Sequence, residues 1–346
     1  MMKTMLTKKV LPLNTDPFIK TYPYNAFYLG VLEANGFDIS DILINEFFHL
    51  HYYSYKGGHI DFCGSGYVEK HRFITKYDIK LRTVSIGQIK NKIDNNFYLM
   101  VNLNEKYLGI PEIQWDWDRC HDWLVYGYDD LKNEFYCCGY INKKGIGEYY
   151  GTIKVKYYDL IASIKKVPKS FTRFRPRKLQ NHSLKINPTY SEKCISNEQL
   201  LRKLKQFYNP KIVSFYNRLF LHNDANGIRL FIKSFKKEHI NIYDNNASPS
   251  NNKLYLQEIR NLYEHKKVIK LVLERIGCCQ DIIEKQNKLV KESYDNLLLC
   301  AKYNTKPQQV SINHIFNKMI DIEIRQQTII IDVLKNMKSP FSKNAQ

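Results

Sequence analysis

The sequence predicts an α+β chain in two folded parts, a mixed α/β half over 1–165 and an all-helical half over 193–340. Three observations carry this. Apolar residues in the first half switch between helical and alternating periods, with glycines between the pieces. From Ser196 onward the apolar period is helical throughout. Between the halves, 166–192 is rich in proline and basic residues and reads as a linker or extended arm. A chain of 346 residues has the length of two ordinary domains, each able to bury its own core.

In the first half, NAFYLGVLEAN (25–35) places Phe27, Val31, Leu32 and Ala34 at helical spacing and stops at Gly36. Ser40 then caps a second helix, SDILINEFFHL, with Asp41 in the first turn, where the helix dipole favours a carboxylate. HYYSYKGGHIDFCGSGY follows as strand-like aromatic pieces, with Gly57, Gly58, Gly64 and Gly66 marking turns. Residues 85–95 predict a short helix. Three strands are predicted over 97–104, 121–129 and 134–142, the last two joined by a connection of hairpin length at 129–133. YGTIKVKYY alternates as another strand, and DLIASIKK reads as a short helix.

In the second half, Ser196 and Gln199 form a capping box before LLRKLKQFY. A second helix is predicted over 227–239, and three long ones over 254–276, 281–303 and 310–337. Ile282, Leu289, Tyr294, Leu297 and Ala301 form one stripe. Ile312, Phe316, Met319, Gln326, Ile330, Val333 and Met337 form another. Such stripes bury against each other, which predicts an antiparallel bundle.

The formal net charge is +19, and 165–185 holds eight basic residues and no acidic one. Such a field favours polyanions or acidic proteins. No apolar run has the length of a signal peptide or a membrane span, so the expectation is a soluble protein of the cytoplasm, not bound to membrane. The eight cysteines include no CxxC, and adjacent cysteines on one element point apart. They are read as reduced, buried thiols, with no metal site and no cofactor expected.

The densest segment is WDWDRCHDWLVYGYDD (115–130), which holds all three tryptophans. His121 opens a strand there and can serve as a general base if a neighbouring strand orients its imidazole. The competing reading is a histidine satisfied by hydrogen bonds beside a Trp-rich core.

HDWLVYGYDDLKNEFYCCGYINKKGIGEYYGTIKVKYYDLIASI resembles the second half of the domain named after the amino terminus of butirosin biosynthesis protein H. PFIKTYPYNAFYLGVLEANG, NEFFHLHYYSYKGGHIDF and NFYLMVNLNEKYLGIP fit its earlier parts, so the resemblance covers roughly 12–165. LYLQEIRNLYEHKKVIKLVLERI looks like the helical extension of members encoded beside peptide synthetases. The resemblance implies a papain-like fold for the first half. It also implies acyl or aminoacyl transfer from a carrier protein, with a cysteine at the start of the first helix, a histidine on a later strand, and an Asp or Asn on the next strand to orient it.

Only His121 carries over directly. The thiol position falls within 22–25, where there is no cysteine, and the orienting position falls near Gly139, with Asn142 the nearest stand-in. Cys63 and Cys120 are the substitute thiols. Cys63 is preferred because Cys120 and His121, adjacent on a strand, face opposite sides. Tyr22 and Tyr24 could donate to a developing oxyanion, with Tyr24 the one taken as a candidate. Asp129 and Asp130 are expected in the hairpin turn for backbone reasons. His265 is read as a solvated or core-edge residue.

Arg173, Arg175, Arg177 and Lys178, in FTRFRPRK, are the candidate contacts to an acidic carrier protein or peptide synthetase. The expected function is an accessory or tailoring protein of nonribosomal-peptide or related natural-product assembly, binding a carrier-bound acyl group and transferring it. An inactive papain-like scaffold and, behind it, a nucleic-acid-binding protein using the same arm are the alternatives. Self-association is left open.

Overall fold

The computed structural model describes residues 7–53, 59–62, 73–79, 85–110, 113, 117–143, 147–168, 181–188, 194–208, 221–223, 225, 228–234, 236 and 256–338. Cys63, Arg173, Arg175, Arg177 and Lys178 lie outside the described residues. In chain order the elements begin with strand β1 (Lys8–Val10) and helices α1 (Pro23–Ala34) and α2 (Ser40–Phe47). Strands β2 (Leu50–Tyr53), β3 (His59–Phe62) and β4 (Ile74–Asp78), helix α3 (Ile86–Asp94) and strand β5 (Tyr98–Asn104) follow. After a 3-10 turn (Glu105–Tyr107) come strands β6 (Cys120–Asp129), β7 (Glu134–Lys143) and β8 (Gly147–Lys156), helix α4 (Tyr157–Lys165) and strand β9 (His182–Ile186). The rest is helix α5 (Asn197–Tyr208), strand β10 (Leu221–Asn223) and helices α6 (Leu256–Arg275), α7 (Gln280–Thr305) and α8 (Ile312–Lys338). They pack as two compact units, Met1–Ile39 with Val68–Ser191, and Ser40–Tyr67 with Glu192–Gln346.

The first unit is built on an antiparallel sheet of order β4-β9-β5-β6-β7-β8, with β1 paired to the far end of β6. Leu103 lies opposite His121, and Leu124 opposite Cys138. Side chains alternate across a strand. Leu99, Val101 and Leu103 therefore share one face with His121, Trp123 and Val125, while Tyr98, Met100 and Asn102 share the other with Asp122 and Leu124. A β-bulge between Val125 and Gly127 resets the phase, so that Tyr128 pairs with Phe135 and joins the His121 face.

Helices α3 and α4 cover the His121 face. Tyr128 Oη donates to Asp94 at 2.7 Å, and the rings of Phe135 and Tyr157 lie 4.5 Å apart. Helix α1 covers the other face. Phe27 meets Tyr150, which lies opposite Tyr140, and Asn35 Nδ2 donates to Tyr98 Oη at 3.1 Å. Buried side chains run continuously from Asn25 to Leu32, as expected of a helix covered on every side. A capping box at Ser85 starts α3: Ser85 Oγ accepts from Gln88 N at 3.3 Å, and the Gln88 side chain accepts from Ser85 N at 2.8 Å.

The second unit combines three long helices with a small sheet of order β10-β2-β3. Asn261 Nδ2 on α6 donates to Ile60 O at 2.9 Å, and His265 Nε2 donates to Phe48 O at 2.9 Å. Val268, Val272, Leu289, Phe316 and Ile330 are buried between the helices. Two polar pairs sit in the same core. Lys266 Nζ lies 2.6 Å from Glu323 Oε1, and the Gln286 and Gln326 amides bond to each other reciprocally at 2.8 and 2.9 Å. The capping box at Ser196 is formed as well.

Four expectations are corrected. The stretch 166–192 contains a true strand: β9 sits between β4 and β5 and is buried on both faces, one at His182 and the other at Ser183, polar residues that obscure the strand pattern. The second helix ends at Phe47 and packs on α6, and segment 40–67 groups with the helical unit. His265 is fully buried, and Tyr294, counted in the α7 stripe, is exposed. Among the described residues, no helix is long and apolar enough to cross a membrane.

Candidate functional site

His121 lies at the first turn of alternation in β6, one residue after Cys120, with its side chain about one-third exposed. Strand β5 delivers its partner. Leu103 is opposite His121, and two residues further on the same face stands Glu105, whose side chain is fully buried. His121 Nδ1 lies 2.9 Å from Glu105 Oε1. A carboxylate accepts only, so the proton of a neutral imidazole sits on Nδ1, leaving the Nε2 lone pair free to take another.

The carboxylate has two further partners, and the Glu105 backbone is tied down as well. Trp123 Nε1 donates to Glu105 Oε1 at 3.2 Å, Arg119 Nε lies 3.3 Å from Oε2, and Glu105 N donates to Arg119 O at 2.7 Å. A buried carboxylate persists only with such partners, and these fix its position. Trp123 is itself seated by Gly139 of β7, where a Cβ would come within 2.7 Å of the indole ring. Arg119, Glu105, His121 and Trp123 thus form one linked group at the end of two paired strands.

The other sequence candidates fall elsewhere. Tyr24 is in the first turn of α1, its ring stacked on Tyr22 at 5.5 Å, on the sheet face opposite His121. Asn25, in the same turn, is fully buried, and neither of its amide atoms has a hydrogen-bond partner among the described residues. Asn142 belongs to β7, opposite Glu148. The group that orients His121 comes from the 3-10 turn that follows β5, the strand on the other side of β6, so Glu105 stands where an orienting residue near Gly139 is expected. Asp129 Oδ1 accepts from Lys132 N at 3.2 Å, the backbone role expected of a turn aspartate.

Cys120 points away from His121, as adjacent strand residues must. Burial pushes the Cys138 thiol up to about 11 and the Cys300 thiol up to about 12, and raises Cys137 further. Cys278 is raised to about 11, again by burial and then by its neighbour Cys279. These are the reverse of the shift that makes a nucleophilic thiolate. Among the described residues, no group of three or more His, Cys, Asp or Glu converges as a metal site.

Glu105 was readable as a signal. It continues the alternating face of Leu99, Val101 and Leu103, and a carboxylate at the end of an apolar face needs a partner. The pairing of its strand with that of His121 supplies one.

The chain matches no protein-family model, and no curated protein matches it.

Proposed function

We propose that the α/β unit is a papain-like acyl-handling domain of nonribosomal-peptide or related natural-product assembly. In this reading it binds an acyl or aminoacyl group carried on an acidic carrier protein and transfers it without a thiol of its own. The observation that carries the proposal is the His121–Glu105 pair, whose Nδ1 contact leaves Nε2 as the proton acceptor. The papain-like reading draws on the first helix lying across an antiparallel sheet, with a histidine at the start of a strand.

The chemistry is general-base catalysis. An acceptor amine or hydroxyl attacks the thioester carbonyl while His121 Nε2 takes its proton. The tetrahedral intermediate expels the pantetheine thiolate, which recovers the proton from His121. Glu105 stabilises the imidazolium formed between these steps, as an orienting carboxylate does in other acyl-transfer sites.

A second reading is favoured by one observation: the start of α1 and His121 are on opposite faces of the sheet, which suits a papain-like scaffold that binds a loaded carrier without chemistry. The test is to incubate the protein with carrier domains loaded with a panel of aminoacyl thioesters and follow carrier mass with and without amine and alcohol acceptors. Acyl loss that depends on His121 supports transfer. Binding without acyl loss supports the scaffold, and neither binding nor acyl loss counts against both.

A further inference from the structure

The edge of the first unit's sheet carries a cluster that the His121 site does not use. Phe97 immediately precedes Tyr98 of β5, which pairs with Leu184 of β9, the residue before Lys185. Lys185 Nζ is 5.3 Å from the Phe97 ring centroid, and Lys92 Nζ of α3 is 4.7 Å from it. Tyr77 of β4 packs edge-on against the same ring at 5.7 Å and is 46% exposed. Lys9 Nζ reaches the same corner, bonding Asp94 O at 2.9 Å and Asn96 Oδ1 at 2.8 Å.

The contacts of these lysines separate them from their neighbours. Lys8 pairs with Asp129, Lys90 with Asp130 and Lys156 with Glu134. Lys9, Lys92 and Lys185 have no carboxylate partner among the described residues; their contacts are a carbonyl, an amide and an aromatic ring. A cation over a ring is attracted by the ring quadrupole, which brings no neutralising counter-charge. The corner therefore presents three placed, uncompensated ammonium groups beside an exposed tyrosine.

We propose that this face docks an acidic protein surface, and, resting on the carrier reading above, that it is where an acidic carrier protein sits. Charge complementarity argues for the occupant, since a chain of net charge +19 with three unpaired ammonium groups in one corner draws carboxylates by long-range attraction. Single-stranded nucleic acid fits less well. Stacking needs free ring faces, and the Phe97 ring already carries two lysines.

The test compares wild type with Lys92→Gln/Lys185→Gln. The probes are a Glu- and Asp-rich helical peptide, a holo peptidyl-carrier domain and oligothymidylate, each at low and physiological salt. The expected result is peptide and carrier binding weakened about fivefold or more in the double variant, while Lys156→Gln, whose ammonium is already paired, changes little. Unchanged peptide binding in the double variant overturns the surface, whether or not the carrier binds. Peptide binding that falls in the variant, with no carrier binding to either protein, keeps the surface and removes the carrier reading. Oligothymidylate held at physiological salt and lost in the variant overturns the assignment in favour of nucleic acid. Should circular dichroism show the variant unfolded, acetylation footprinting of wild type decides. Protection of Lys92 and Lys185 by the peptide supports docking, and equal labelling with and without it refutes docking.

Discussion

The indole of Trp123 occupies the space that a side chain at Gly139 would need: a Cβ there would lie 2.7 Å from Cδ2 and Cε3 of the ring. Because Trp123 also donates to Glu105, the absence of a side chain on β7 is transmitted to the carboxylate that orients His121. Gly139→Ala should destabilise the α/β unit by about 1–3 kcal/mol, the usual cost of overpacking a close-packed interior. It should also shift tryptophan emission. An unchanged denaturation midpoint and spectrum would show that the Trp123–Gly139 contact is slack.

In the helical unit, Lys266 and Glu323 form an ion pair out of contact with solvent, and burial lowers the lysine's pKa against the raising effect of Glu323. Removing one member of such a pair strands the other. Lys266→Met should therefore cost about 3–5 kcal/mol, while Lys266→Met with Glu323→Leu should recover most of that loss. Chemical denaturation of the three proteins decides. A double variant no better than the single one would mean that the pair is not the source of the loss.

His265 gives the helical unit an acid limit. Burial, then the charge of Lys266, lowers its pKa well below 6.5, opposed by its bond to Phe48 O. The folded state holds it neutral and the unfolded state protonates it first, so its contribution is complete above pH about 6.5 and declines as pH falls below that value. One proton sets a slope of at most about 1.4 kcal/mol per pH unit. Stability measured from pH 7 down to 5 should fall, and His265→Gln should flatten the fall. Parallel curves for the two proteins would remove His265 from the account.

Much of this architecture is legible in the sequence because its signals are local. Ser196 and Gln199 form the capping box that their spacing predicts, and the 121–129 and 134–142 strands pair through the expected tight connection. What is not legible depends on partners far away in the chain. Residues 182–186 form a strand within the large sheet, yet their buried side chains include His and Ser, which read as polar linker. His265 looks solvated because its surroundings, YEHKK, are charged; only tertiary packing buries it, together with Lys266. The site divides the same way. His121 is marked by its place in the Trp-rich strand, whereas Glu105 becomes a partner only through the pairing of β5 with β6.

Thiol reagents separate the proposed chemistry from a cysteine mechanism. No cysteine stands at the start of α1, and the buried thiols of Cys137, Cys138 and Cys300 are pushed up rather than activated. Alkylation with iodoacetamide under native conditions should leave acyl transfer unchanged. Loss of transfer that tracks modification of Cys63 would restore a thiol nucleophile.

The most direct test of the central claim is the rate of acyl loss from a loaded carrier domain with His121→Ala, in a variant shown by circular dichroism to be folded. A positioned general base contributes about 10²–10⁴-fold. The account predicts a loss in that range, with Glu105→Gln, which takes the carboxylate from Nδ1, falling between wild type and His121→Ala. A His121→Ala protein that retains transfer to within about tenfold of wild type would contradict it and leave His121 as a structural residue.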